Sequence, residues 1–139
     1  MRVTGQGRNI GRMGMLLAWL LLLPVLACAK GQATTVLVLG DSLSAAHNIP
    51  AGTGWVDLLG KRLSTRSGSP ARVVNASMSG ETTAGAATRM PGLLAREKPG
   101  VVVIALGGND ALRGLTPAQI RANLEKMIVA SQQGGAKVL

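Results

Sequence analysis

Three apolar, β-branched runs recur along the chain with helix-like stretches between them: Thr35–Leu39, Arg72–Val74 extending towards Ala76, and Val101–Leu106. Their near-continuous apolar character fits strands covered on both faces, as in a parallel sheet. The first spacer, Trp55 to Leu63, places Trp55, Leu58, Leu59 and Leu63 on one face at helical spacing. The second, Thr83 to Glu97, is alanine-rich, and Pro91-Gly92 is expected to break it in two. The third helix is the best marked. Thr116 can cap it, Pro117 suits its first position, Gln119 completes a capping box, and Gly134-Gly135 ends it. Ile120, Leu124, Met127 and Ile128 give it one apolar stripe, and Lys137-Val138-Leu139 begins a fourth strand. Strands alternating with helices predict an α/β domain built on a parallel sheet.

Such a sheet meets ligands at the carboxyl ends of its strands. Each apolar run leads there into a loop with useful chemistry. Gly40-Asp41-Ser42-Leu43 follows the first run and sets a serine hydroxyl near an expected helix N-terminus, where an activated nucleophile is displayed. Ser79-Gly80-Glu81 and Gly107-Gly108-Asn109-Asp110 follow the other two and can supply donors to a developing oxyanion. Glycine at position 80 lets the backbone approach a ligand closely, since no Cβ intrudes. Asp41 reads as the residue that orders the turn through its side-chain acceptor. Taken singly, each motif reads equally as a turn or a cap. Three of them on one sheet edge say more than any one alone. A nucleotide-binding phosphate loop is excluded, because Gly40–Leu43 has neither its glycine spacing nor its lysine.

The blocks Gly40-Asp41-Ser42-Leu43-Ser44, Asn75-Ala76-Ser77-Met78-Ser79-Gly80-Glu81-Thr82 and Ala105-Leu106-Gly107-Gly108-Asn109-Asp110 resemble those of the GDSL, or SGNH, hydrolase family. The similarity runs from about Thr34 to Leu139 and is strongest to the periplasmic acyl-CoA thioesterase, lysophospholipase and arylesterase branch. The resemblance implies a flavodoxin-like three-layer α/β fold with a parallel sheet. It implies Ser42 as the catalytic nucleophile on an acyl ester or thioester. An oxyanion hole would be formed by the N–H groups of Ser42 and Gly80 and the side-chain amide of Asn109. It implies no metal and no organic cofactor, a small-molecule acyl substrate, and a monomer. The family's base is a histidine preceded three residues earlier by an aspartate, and no Asp-x-x-His occurs here. The one histidine, His47, is read as a surface or cleft-lining residue, with the loop from His47 to Gly54 as a wall of the substrate site. Glu81 stands where the family commonly has aspartate. The chain is therefore expected to be C-terminally truncated and to lack a general base. The alternative is a catalytically impaired fragment or pseudo-enzyme that only binds an anion or acyl ligand.

At the amino end, Arg2, Arg8 and Arg12 precede the leucine-rich stretch Met13 to Leu26, and Ala27-Cys28-Ala29 offers a small-residue cleavage site. That pattern predicts a signal peptide over 1–29 and an exported, periplasmic or secreted domain over 30–139. The apolar run is shorter than the roughly 20 residues a membrane span prefers. A second reading takes Val25-Leu26-Ala27-Cys28 as a lipobox with Cys28 lipidated. With one cysteine, neither a disulfide framework nor a Cys/His zinc set is available. Fifteen Lys and Arg outnumber six Asp and Glu, but they are scattered, and Trp19 and Trp55 are the only aromatic residues. Nucleic acid is therefore not the expected partner, because stacking platforms are missing. A solvated basic surface with peripheral contact to anionic lipid is the expectation.

Overall fold

The computed structural model describes residues 1–2, 34–66, 68 and 70–139. The expected signal peptide, including Cys28, lies outside the described residues apart from its first two. Within the unit Gln32–Leu139, four strands alternate with helices: β1 (Thr34–Gly40), α1 (Trp55–Ser64), β2 (Ala71–Asn75), α2 (Thr83–Glu97), β3 (Val101–Ala105), α3 (Gly108–Leu112), α4 (Pro117–Gln133) and β4 (Lys137–Val138). The strands form one parallel sheet in the order β2-β1-β3-β4. Val36 is paired with Val73 on one side and Val101 on the other. Val102 is opposite Val138, and Leu139 exchanges backbone bonds with Val102 and Ile104, each 2.9 Å long.

Alternation of side chains across the sheet builds the layers. Leu37, Leu39 and Val102 point to one face and are buried with Ala86, Met90 and Leu93 of α2 and Met127 of α4. Val36 and Val38 point to the other face and pack with Val56 of α1. Only the inner strand β1 is buried on both faces from Val36 through Gly40. On β3 the residues facing the α1 side, Val101 and Val103, are half-buried and Ala105 is exposed. Burying a leucine such as Leu37 completely stabilises the fold by about 1.5–3 kcal/mol.

Three sequence expectations are corrected. The buried stripe of α1 is Val56, with half-buried Leu59, Gly60 and Leu63, whereas Trp55 and Leu58 are exposed. The stripe is rotated because the smooth face around Gly60 lies against Val73, where a Cβ would stand 3.7 Å from the valine. Next, α2 runs unbroken through Pro91. Pro91 and Gly92 face solvent while Met90 and Leu93 are buried against the sheet, so tertiary packing carries the helix across a residue that opposes it. Lastly, residues 42–48 form a run of turns and not a helix start. Ala46 and Asn48 adopt left-handed φ values of 55° and 59°, incompatible with a continuing α-helix. The capping box of Thr116 and Gln119 is present as expected.

Candidate active site

The site is assembled from the loops after β1, β2 and β3. At the end of β1, Gly40 has no Cβ because the Ser44 side chain occupies that space. Asp41 Oδ1 accepts the Leu43 N–H at 3.0 Å, which closes the turn that holds Ser42. The Ser42 carbonyl accepts the His47 N–H at 3.0 Å. Ser42 is half-buried and His47 is exposed. No hydrogen bond joins the His47 ring to Ser42 among the described residues.

The second loop is fastened to the first. Asn75 donates its side-chain amide to the Ser44 carbonyl at 2.8 Å and accepts the Ser77 N–H at 3.1 Å. The Met78 N–H reaches the Gly40 carbonyl at 3.0 Å. Gly80 then turns the chain with φ +75°, a conformation that favours glycine, and Thr82 caps α2 by accepting the Gly85 N–H at 3.2 Å. The Glu81 carboxylate lies 2.8 Å from Arg89, whose guanidinium also donates to the Ala76 carbonyl at 2.8 Å.

Asn109, in the first turn of α3, donates its side-chain amide to the Glu81 carbonyl at 2.9 Å. An amide carries two hydrogens, so one is committed to this bond and one is available to a ligand. Asp110 beside it is fully buried and accepts the backbone N–H of Thr83, at 2.9 Å to its nearer oxygen, together with the Thr83 hydroxyl. That hydroxyl in turn accepts from the Asn123 amide of α4 at 3.0 Å. Asp110 therefore bolts α3 to the start of α2 and, through Thr83, to α4. The first loop closes on the third: Asp41 Oδ2 lies 3.8 Å from the point where a Cβ on Gly108 would stand.

The three predicted motifs thus share one edge and are linked by hydrogen bonds. An open cleft of about 600 Å³ borders the first and third of them, with Asp41, Leu43, Trp55, Ala105, Leu106 and Gly108 in its lining. Leu43, and Trp55 at the start of α1, stand in the lining of that cleft. This follows from the rotation of α1 that leaves Trp55 out of the core. Sequence reasoning assigned no role to Asn75, Thr83, Asp110, Asn123 or Arg113. Thr83 and Asp110 are buried, Asn123 is half-buried and Asn75 is exposed, and each has a partner on another segment; Asp110 at least stood inside a recognised motif.

The model of the GDSL-like Lipase/Acylhydrolase family matches residues 38–139. The chain belongs to that family. Esterase TesA of Pseudomonas aeruginosa is 54% identical over 115 residues, covering 83% of this chain and 57% of that protein. The Escherichia coli K12 protein named thioesterase 1/protease 1/lysophospholipase L1 is 37% identical over 119 residues, 86% of this chain and 55% of that one. Among solved structures, the psychrotrophic esterase EstA from Pseudoalteromonas, inhibited by monoethylphosphonate, superposes with a TM-score of 0.70 at 40% identity, covering 76% of this chain and 57% of that one. The chain spans a little over half the length of the curated relatives it matches. This GDSL-family fold is the flavodoxin-like parallel sheet with helices on both faces that the resemblance implied.

Proposed function

We propose that this chain carries the nucleophile and the oxyanion donors of an exported serine esterase or thioesterase. Ser42 Oγ attacks the acyl carbonyl, and the carbonyl electrons move onto oxygen. The N–H groups of Ser42 and Gly80 and the free amide hydrogen of Asn109 hold that charge. Collapse of the tetrahedral species expels an alcohol or thiol, and water then releases the acid from acyl-Ser42. The bond from Asn109 to the Glu81 carbonyl carries this reading, because it draws the amide to the residue that follows Gly80. The relatives named esterase, arylesterase and thioesterase/lysophospholipase support it.

No histidine is bonded to Ser42 among the described residues, so the serine proton leaves to solvent and turnover by this polypeptide is expected to be slow. Oxyanion donors and binding alone still leave about 10³–10⁴-fold catalysis over water in well-studied triad enzymes. The test is covalent labelling of the purified chain with a fluorophosphonate, followed by peptide mass mapping. Slow, stoichiometric modification of Ser42, absent in Ser42→Ala, is expected. Modification at another serine, or none at all, would remove the basis for the reading. Rapid hydrolysis of a p-nitrophenyl ester that disappears in His47→Ala would show that His47 serves as the base.

A further inference from the structure

Arg113 follows α3 directly, and its backbone N–H bonds the carbonyls of Asn109 and Asp110, each at 3.1 Å. Its guanidinium folds back over the second loop and donates Nη2 to the Gly80 carbonyl at 3.0 Å. The same nitrogen lies 3.7 Å from the point where a Cβ on Gly80 would stand. Arg113 is thus tied at its backbone to one proposed oxyanion donor and at its tip to the other. The ion pairs among the described residues engage Arg72, Arg89 and Arg96, and no carboxylate lies within 4.0 Å of Arg113. A guanidinium has five N–H donors in a planar fork that matches phosphate oxygens. One of the five is used, the side chain is exposed, and its charge is uncompensated by any near carboxylate.

We propose that Arg113 is a specificity-determining residue of the Ser42 site and receives a phosphate group carried close to the ester on the alcohol side of the substrate. The inference rests on the ester-hydrolase reading of that site. Pinning decides the reach. A guanidinium bonded to the Gly80 carbonyl cannot follow a distant anion, while the Gly80 N–H is the proposed grip on the carbonyl oxygen. The phosphate must therefore lie a few bonds from the ester, as it does on an acylated glycerol phosphate. An acyl thioester with its phosphates at the far end of a long pantetheine-type arm places them beyond this residue. Of the two acyl classes, the short phosphate-bearing alcohol is the one that Arg113 recognises.

Binding to the full 139-residue chain, followed by NMR titration at low salt, tests this without requiring turnover. The probes are 1-O-octylglycerol 3-phosphate, whose ether cannot be hydrolysed, its neutral parent 1-O-octylglycerol, and S-octyl phosphopantetheine. The phosphate ether should bind about tenfold tighter than the neutral parent, the size of one charge-assisted contact. Arg113→Met should erase most of that preference, Arg113→Lys should keep part of it, and Arg62→Met, which removes the same charge from α1, should keep nearly all. Thermal melts of each variant establish that it is folded. A preference that survives in Arg113→Met, that is missing from the parent chain, or that falls equally in Arg62→Met would overturn the proposal. Arg113-dependent tightening of the pantetheine probe would overturn its short reach. Fluorophosphonate labelling of Ser42 reads the hydrolase assignment separately, so either reading can fail while the other stands.

Discussion

At the scale of single residues, the site depends on side chains that hold backbone in place as much as on those that face a ligand. Asn109 holds the Glu81 carbonyl through one amide hydrogen, and in the proposed site its remaining hydrogen meets the oxyanion. Asn109→Ala should slow fluorophosphonate labelling of Ser42 by about 10²–10³-fold, the usual cost of an oxyanion donor. Measured on the folded variant, an unchanged labelling rate would mean that Asn109 donates nothing to the reacting oxygen. Asp110 contributes differently, because it touches only Thr83 and the turns around it. Asp110→Ala strands a buried N–H and hydroxyl and should lower the stability read from urea unfolding by about 2–4 kcal/mol. The motifs exposed Ser42, Gly80 and Asn109 to sequence reasoning because strand, glycine and polar residue occur there in fixed order. Thr83 and Asn123 were invisible to it. Their hydroxyl and amide meet across 40 residues of sequence, and no local pattern encodes such a pairing.

Among the elements, legibility follows how local the causes are. The start of α4 could be read because Thr116 and Gln119 satisfy each other's groups within one turn. The faces of α1 could not, since Trp55, Val56, Leu58 and Leu59 are all apolar and only the fit of Gly60 against Val73 selects among them. Pro91 is the sharpest conflict between local preference and tertiary packing. Its ring opposes the carbonyl of Ala87 and it lacks the N–H that this carbonyl would accept, yet α2 continues to Glu97. Because Pro91 is exposed, replacing it sacrifices little burial. Pro91→Ala should raise unfolding stability by about 1–3 kcal/mol, the penalty of an interior proline less the entropy it removes from the unfolded chain. Circular dichroism melts of the two proteins decide it, and a lower midpoint for Pro91→Ala would mean that the proline supports α2.

For the whole molecule, a parallel sheet was foreseeable from uninterrupted apolar runs, but the order β2-β1-β3-β4 was not. Order is set by which strands find partners, and every run offers similar valines to its neighbours. At the amino ends of the strands, opposite the candidate site, charged groups join β2 to α2. Arg72 of β2 and Arg96 of α2 both grip Glu97, at 2.9 Å and 2.7 Å. The hydrogen bond from Arg96, followed by that from Arg72, holds the Glu97 carboxyl below its ordinary value of 4.5. A carboxyl whose pKa is lowered by folding binds fewer protons in the folded chain than in the unfolded one. Its stabilisation is therefore complete above that ordinary value and fades as acid titrates the folded group. Parent and Glu97→Gln melting temperatures should consequently differ at neutral pH and converge in acid below pH 4.5. Both guanidinium groups are well exposed, so the gap at neutral pH should be small and should shrink further in high salt. A gap that persisted or widened in acid would assign the stability to packing around Glu97 and not to its charge.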